Sequence, residues 1–415
     1  MSSDQILRHI DGERLWQRHM ELARFGALAN GGVNRQALSQ EEIAARAELV
    51  GWARAIGLKP FTDVAGNLFL RLDGLEPDLP PVLIGSHIDS QPSGGKFDGV
   101  FGVLAALEVL EAIAASGQRP RRSIEAVAWM NEEGSRFAPG MMGSALYTGA
   151  RSLADVMPIT DKDGVSVGYA LAQFLARDVD IPLRALGRPA ACFLEAHIEQ
   201  GPILELERKT IGIVTGIQGK RTFRITVAGE ENHAGTAPRS VRRDALVATV
   251  SILDALQTAM WDDEDITRFT VGRLNLTPNA PSVVPARVEF SIDLRHPDTE
   301  TLQHLGDRIA GICSAHAGRC SADVDQLLHD PPLVFPQDMR TALAKAADRI
   351  GATSMTIASG AGHDARYLHY FCPTGMIFVP CRAGISHNEA EWAEKDHLTA
   401  GAQLLGVAAT ELAAI

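Results

Sequence analysis

Imidazoles and carboxylates follow apolar runs at four places in this chain. The first group is His87, Asp89 and Asp98, on a glycine-rich stretch from Gly85 to Gly99. The second is Asn131-Glu132-Glu133-Gly134, the third runs from Glu195 through His197 and Gln200 to Gly201, and the fourth is Ser386-His387-Asn388. Imidazole nitrogen with carboxylate oxygen is a donor set suited to Zn, Mn or Co. Glu132 beside Glu133 is costly unless a charge is neutralised, because neighbouring carboxylates repel. A bound cation lets one of them coordinate while the other stays free as a base. A shared carboxylate, terminal His and Glu ligands and a water acidified by two metals would make a hydrolytic centre. Plainer readings stand beside this one. Asp98 could cap the helix that follows it, and His87 alone could be a hydrogen-bonded structural residue. Four such groups at equivalent places favour the metal.

To act together, the groups need elements that bring them to one rim. The apolar run 81–85 reads as a buried strand, and a helix over 98–116 carries a wide face of Val100, Phe101, Val103, Leu104, Leu107, Leu110 and Ile113. Further strands are expected at 124–130, 191–196, 354–359 and 375–380. Helices are expected at 13–25, 40–56 and 340–350, with a last one from about Leu398. Continuous apolar strands separated by helices indicate an α/β fold with a largely parallel, doubly covered sheet. Parallel strands point the same way, so residues at their carboxyl ends can converge. Residues 216–330 read differently, as strand 221–228, helix 244–260, strands 269–276 and 286–295, helix 299–317 and strand 320–328. That order is the ferredoxin-like βαββαβ unit. The expected domains are therefore 1–215 with 331–415, and an insertion over 216–330.

A length of 415 residues also favours two domains, and 46% hydrophobic with 22% charged residues is a soluble, globular composition. The formal charge of −12 argues against nucleic-acid or anionic-membrane partners. Cys192, Cys313, Cys320, Cys372 and Cys381 form no CxxC pair and read as reduced thiols of a cytoplasmic protein. The amino terminus is polar and resembles no signal peptide. No apolar run reaches membrane-spanning length.

The motifs around His87, Asp98, Glu133 and Glu195 to Pro202, taken in order, resemble the amidohydrolase/carbamoylase branch of the M20 metallopeptidase-like enzymes. The resemblance continues through Asn232-His233-Ala234-Gly235-Thr236, Arg242 to Ala245, Gly360 to Asp364 and Gly384 to His387. That group includes N-carbamoyl-L-amino-acid hydrolases, allantoate amidohydrolases and β-ureidopropionases. The resemblance implies two divalent metals per subunit (Zn, Mn, Co or Ni) bridged by Asp98. His87 and His197 would complete one site, and Glu133 and His387 the other. It implies Glu132 as general base and Asp89 as the partner that orients His87, with a plain turn residue as the lesser reading of Asp89. By the same resemblance the inserted domain serves as lid and dimerisation domain. His233 then reaches the active site of the second subunit of a homodimer and supports the oxyanion; from residues alone it is a loop histidine.

Arg295 could clamp a substrate carboxylate or be an ordinary strand-end arginine. Gln200 could bond a ureido group or buttress its strand, and His363 and Asp364 could shape the pocket or only their loop. Ser282 stands where the family commonly has an Asn, and Lys220 where allantoate-type members tend to carry an amide. Gln200, Lys220, Ser282 and Arg295 are thus the expected substrate contacts. The expected activity is hydrolysis of a linear ureido or amide C–N bond, foremost of an N-carbamoyl-L-amino acid. Allantoate or β-ureidopropionate hydrolysis is the alternative. A dipeptidase, an aminoacylase or a non-catalytic binding protein ranks lower.

Overall fold

The computed structural model describes residues 3–415, which divide into two compact units. One holds the chain up to Thr215 together with Phe335–Ile415, and the other is Gly216–Val334. The return crossing lies four residues beyond the expected 330/331 boundary, because Leu333 and Val334 still pair with Ile217 and Gly216.

In the first unit, Thr374–Val379, Cys192–Ile198, Val82–His87 and Ile124–Trp129 lie side by side and parallel. Every residue of these four strands is buried, which accounts for their mainly apolar character. The strands flanking this centre run antiparallel to it. Ile211–Ile217 pairs with Thr374–Val379 on one side, and Leu68–Leu72 followed by Lys59–Asp63 extends the other. The sheet is therefore mixed, with a parallel centre. Within it Gly85 has φ 151°, and a Cβ there would lie 2.0 Å from the Val127 carbonyl oxygen. No side chain fits.

The helix Val100–Ala115 is buried nearly all round, with 13 of its residues in the core, as befits a helix covered by both the sheet and other helices. Its one buried charge, Glu108, accepts from Arg14 Nε at 2.9 Å. The helix begins two residues later than the sequence suggests. Gly99 occupies the N-cap position with φ 65°, and Asp98 does not cap it. A Cβ at Gly99 would come within 2.2 Å of His87 Nε2, so only glycine lets the helix start this close to that ring. The helix Gln40–Ala55 is capped as expected, Ser39 Oγ accepting from Glu42 N at 3.2 Å. The last helix is Lys395–Leu412, three residues ahead of its expected start.

His19, on the helix Gly12–Leu22, is wholly buried against the rings of Phe97 and Phe101, at 5.6 and 6.2 Å. Burial brings its imidazole down to about 4. A folded-state value below the ordinary one means stability is intact above about pH 6.5 and falls as the pH drops towards 4. Between pH 6.5 and 5 this one group should cost the fold on the order of 2 kcal/mol. The measurable consequence is that His19→Leu has a flatter thermal-midpoint-versus-pH curve than the parent over that interval. Parallel curves would show that His19 takes up a proton without unfolding.

The second unit is an antiparallel sheet in the order Arg268–Thr270, Arg287–His296, Gly219–Ala228, Ser321–Asp330. Alternate residues Phe223, Ile225, Val227, Val288, Phe290, Ile292 and Leu294 form its core with the helices Ala245–Met260 and Thr299–His316. The single strand expected over 269–276 is two pieces, Arg268–Thr270 and Leu274–Thr277, both paired with Arg287–His296. Among the described residues, no helix of either unit is long and apolar enough to cross a membrane.

Candidate metal centre

All four parallel strands of the first unit deliver ionisable residues to one rim. His87 ends its strand, and Glu132 and Glu133 follow Ile124–Trp129. His197 lies within Cys192–Ile198, one residue short of its end, whereas the sequence suggested a place just past the strand. His387 follows Thr374–Val379 on a loop. Asp98 sits at the centre. Its Oδ1 is 3.2 Å from His197 Nε2 and 3.7 Å from His87 Nε2. Its Oδ2 is 3.3 Å from His387 Nε2, and that nitrogen is also 3.3 Å from Glu133 Oε2.

Two sets of donors result, His87–Asp98–His197 and Asp98–Glu133–His387, each with its ligand atoms within 4.8 Å of one another. Mixed nitrogen and carboxylate donors of this kind fit a pair of first-row divalent ions. Glu132 Oε2 stands 3.5 Å from His87 Nε2, in neither set. A third set, Glu195–His197–His363, reuses His197.

A second ring of residues fixes these side chains. Asp89 is completely buried. Its carboxylate accepts from Glu132 N at 3.1 Å and Glu133 N at 3.2 Å, and lies 3.4 Å from His87 Nδ1. Gln91 Nε2 donates to Glu133 Oε2 at 2.7 Å. Ser386 Oγ lies 2.7 Å from Asp98 Oδ2 and 2.9 Å from Glu391 Oε2, and Glu391 Oε1 accepts from the Phe97 and Asp98 amides. Gln200 Nε2 donates to Asp98 Oδ2 at 2.8 Å, so its side chain is turned towards the Asp98 cluster. Gln200 and His387 both have left-handed backbones, φ 58° and 53°, which non-glycine residues seldom adopt. Behind His197, Glu195 accepts from Ser86 Oγ and the Ala365 amide, Asp364 accepts from Ser144 Oγ, and His363 packs its ring on that of His197 at 4.6 Å.

The charges show why a cation belongs here. Burial lifts the Glu132 carboxyl well above the usual range, and repulsion from Asp364, Glu133 and Asp89 adds to it against the pull of His87. Burial and the Asp98 charge push Glu133 up to about 7. Burial would also raise Asp98, but hydrogen bonds from His197 and His387 outweigh it and hold that carboxyl well below its usual value. The bond to Asp98, with Glu133 nearby, lifts His387 to about 9. Divalent ions held here would offset the carboxylate repulsion and burial that these shifts reflect.

Gln91 and Glu391 escape the sequence reading, and Ser386 figures in it only as a neighbour of His387, because none of them stands directly at the end of an apolar run. The one available signal was their spacing from His87 and His387. His233, Lys220, Ser282 and Arg295 lie in the second unit. The His233 ring is exposed, and its Nδ1 accepts from the Gly235 and Thr236 amides at 3.0 and 3.1 Å, so Nε2 carries the proton in the neutral ring. Lys220 and Arg295 face each other across adjacent strands and both bind Asp293, at 3.0 and 2.8 Å. The two cations therefore form one three-residue cluster with an acid between them, which sequence alone did not reveal. Ser282 is exposed and is tied in through its carbonyl, which accepts from the Ala234 amide at 3.0 Å.

Comparison with known proteins shows the family. Residues 83–411 match the model of peptidase family M20/M25/M40. An N-carbamoyl-L-amino-acid amidohydrolase of Rhizobium meliloti is 37% identical over 98% of each chain. An allantoate amidohydrolase of Bacillus subtilis is 35% identical over 92% of this chain and 93% of its own. The crystal structure of an amidase of the hydantoinase/carbamoylase family from Burkholderia multivorans superposes with a TM-score of 0.91 at 42% identity, covering 98% of this chain and 99% of that one. The four-strand rim built around Asp98 lies within the matched span, and the chain belongs to peptidase family M20/M25/M40.

Proposed function

We propose that this protein is a two-metal hydrolase of linear ureido C–N bonds, with N-carbamoyl-L-amino acids as its substrates. The observation that carries the reading is Asp98, whose two oxygens face two separate His/carboxylate sets with Glu132 beside them. His87, Asp98 and His197 would hold one ion and Asp98, Glu133 and His387 the other. When bound, the pair supplies Lewis-acid polarisation and an acidic water at neutral pH.

The side chains do the rest. Glu132 has no place in either ligand set, so its carboxylate is free to take a proton from the attacking water and pass it to the leaving nitrogen. Asp89, through the Glu132 and Glu133 amides, keeps the base and its neighbouring ligand in fixed relation. His233, with its proton on Nε2, would donate to the developing oxyanion from the second subunit of a homodimer. The Gly216–Val334 unit would serve as the lid and dimerisation domain. Arg295, with Lys220, would receive the substrate carboxylate, while Gln200 and Ser282 would contact the ureido end. Five free thiols suit a reducing compartment such as the cytoplasm.

The 35% identical allantoate amidohydrolase supports allantoate as the second reading. A metal-reconstituted panel of N-carbamoyl-L- and D-amino acids, N-carbamoyl-β-alanine, allantoate and a dipeptide decides between them. The expected result is a preference of at least about tenfold in kcat/KM for an N-carbamoyl-L-amino acid. Chelation should remove the activity, and Mn, Co or Zn should restore it. A dipeptide as best substrate, or full activity in excess chelator, overturns the proposal.

A further inference from the structure

Arg35 lies outside both ligand sets and is only 1% exposed. Its guanidinium donates to three main-chain carbonyls: Ile88 through Nε at 2.7 Å, and Leu22 and Phe25 through Nη1 at 2.9 Å each. Its own amide donates to Ser90 Oγ at 2.8 Å, and its carbonyl accepts from the Ser90 amide at 2.9 Å. One residue thus grips both neighbours of Asp89 and ties them to the end of the helix Gly12–Leu22 and the turn after it. Every polar contact described above for the Asp89 carboxylate goes to the reacting groups, namely the Glu132 amide, the Glu133 amide and the ring of His87.

A buried cation bonded to carbonyls is an expensive way to fill space. A leucine or methionine of similar volume would pack there without the desolvation penalty. Burial draws the Arg35 guanidinium down to about 10, and the fields of Glu42 and Asp89 oppose that fall. The charge therefore sits in the field of two buried carboxylates, Glu42 first and Asp89 second, and its fork fixes the path of the turn that carries Asp89.

We propose that Arg35 is a positioning residue of the catalytic centre: by clamping Ile88 and Ser90 it sets Asp89, and through Asp89 it sets His87, Glu132 and Glu133 at once. The inference rests on the hydrolytic reading above, but it can be tested through metal binding alone. Arg35→Met removes charge and fork, and Arg35→Lys keeps the charge and loses the fork. Both are assayed for Mn(II) and Co(II) affinity by competition with a chelator, for the Co(II) visible spectrum, for the kcat and KM of the parent's best substrate, and for thermal midpoint in excess chelator.

The expected result for Arg35→Met is a loss of roughly 10–100-fold in metal affinity and in kcat with KM held within about threefold, the range typical of residues that orient ligands. An altered Co(II) spectrum should accompany it. Arg35→Lys should fall between the two. A folded Arg35→Met with parent-like affinity, spectrum and kcat overturns the proposal. If Arg35→Met fails to fold, Arg35→Lys decides, and parent-like metal affinity there overturns it equally. A parent that binds metal but hydrolyses none of the panel sinks the hydrolytic reading and leaves the metal-affinity test of Arg35 standing.

Discussion

Glu132→Gln should lose roughly 10²–10⁴-fold in kcat, the range that general-base catalysis contributes, while KM stays near that of the parent. The size follows from position. Glu132 is outside both ligand sets, yet its Oε2 is 3.5 Å from His87 Nε2 and its side chain only 10% exposed. The amide keeps the shape and removes the proton acceptor. Both ions should therefore remain bound, and metal analysis of the desalted variant should give the parent's content. A variant with near-normal turnover would remove Glu132 as the base. A variant that has lost a metal would show instead that Glu132 is a ligand.

The second large effect is expected at Asp98. Asp98→Ala should empty both sites, because its two oxygens face the two donor sets separately. His387→Ala should empty only one, since that imidazole reaches Asp98 Oδ2 and Glu133 but belongs to a single set. Metal content per subunit after gel filtration should fall from about two to zero in the first variant and to about one in the second. Activity should drop to background in Asp98→Ala. Retention of two ions by Asp98→Ala would rule out a bridging carboxylate there.

The central strands could be read from the chain because each is buried on both faces and mainly apolar, even though Glu125, Glu195 and His197 lie inside them. The sheet margins could not. Lys59–Asp63 opens with a lysine and a proline and is half-exposed, and Leu183–Arg184 is two residues long. Such strands exist only because a neighbour offers its edge. The ligands were legible for the opposite reason: His and Glu at strand ends advertise their chemistry. What surrounds them did not. Gln91, Ser386, Glu391 and Arg35 acquire meaning only from their partners, which lie as far as 42 positions away for Gln91 and 294 for Glu391. Asp98 shows the limit most clearly. Sequence permitted a helix cap or a ligand, and the left-handed Gly99 settles that it caps nothing. Likewise Lys220 and Arg295 looked independent until strand register placed Asp293 between them.

The discontinuity of the first unit has a consequence in time. Its first three parallel strands are complete by Ile198, but Ser386, His387 and Glu391 come after the whole of Gly216–Val334 has been made. At 5–20 residues per second, synthesis of that intervening stretch takes roughly 6–24 s. During that delay the nascent chain can present His87, Asp98, Glu133 and His197, but not His387, which would complete the second donor set. Ser386 and Glu391, which brace Asp98, are missing as well. Filling of the second site would therefore have to wait until His387 has been made, and an ion taken up earlier would meet an incomplete donor set.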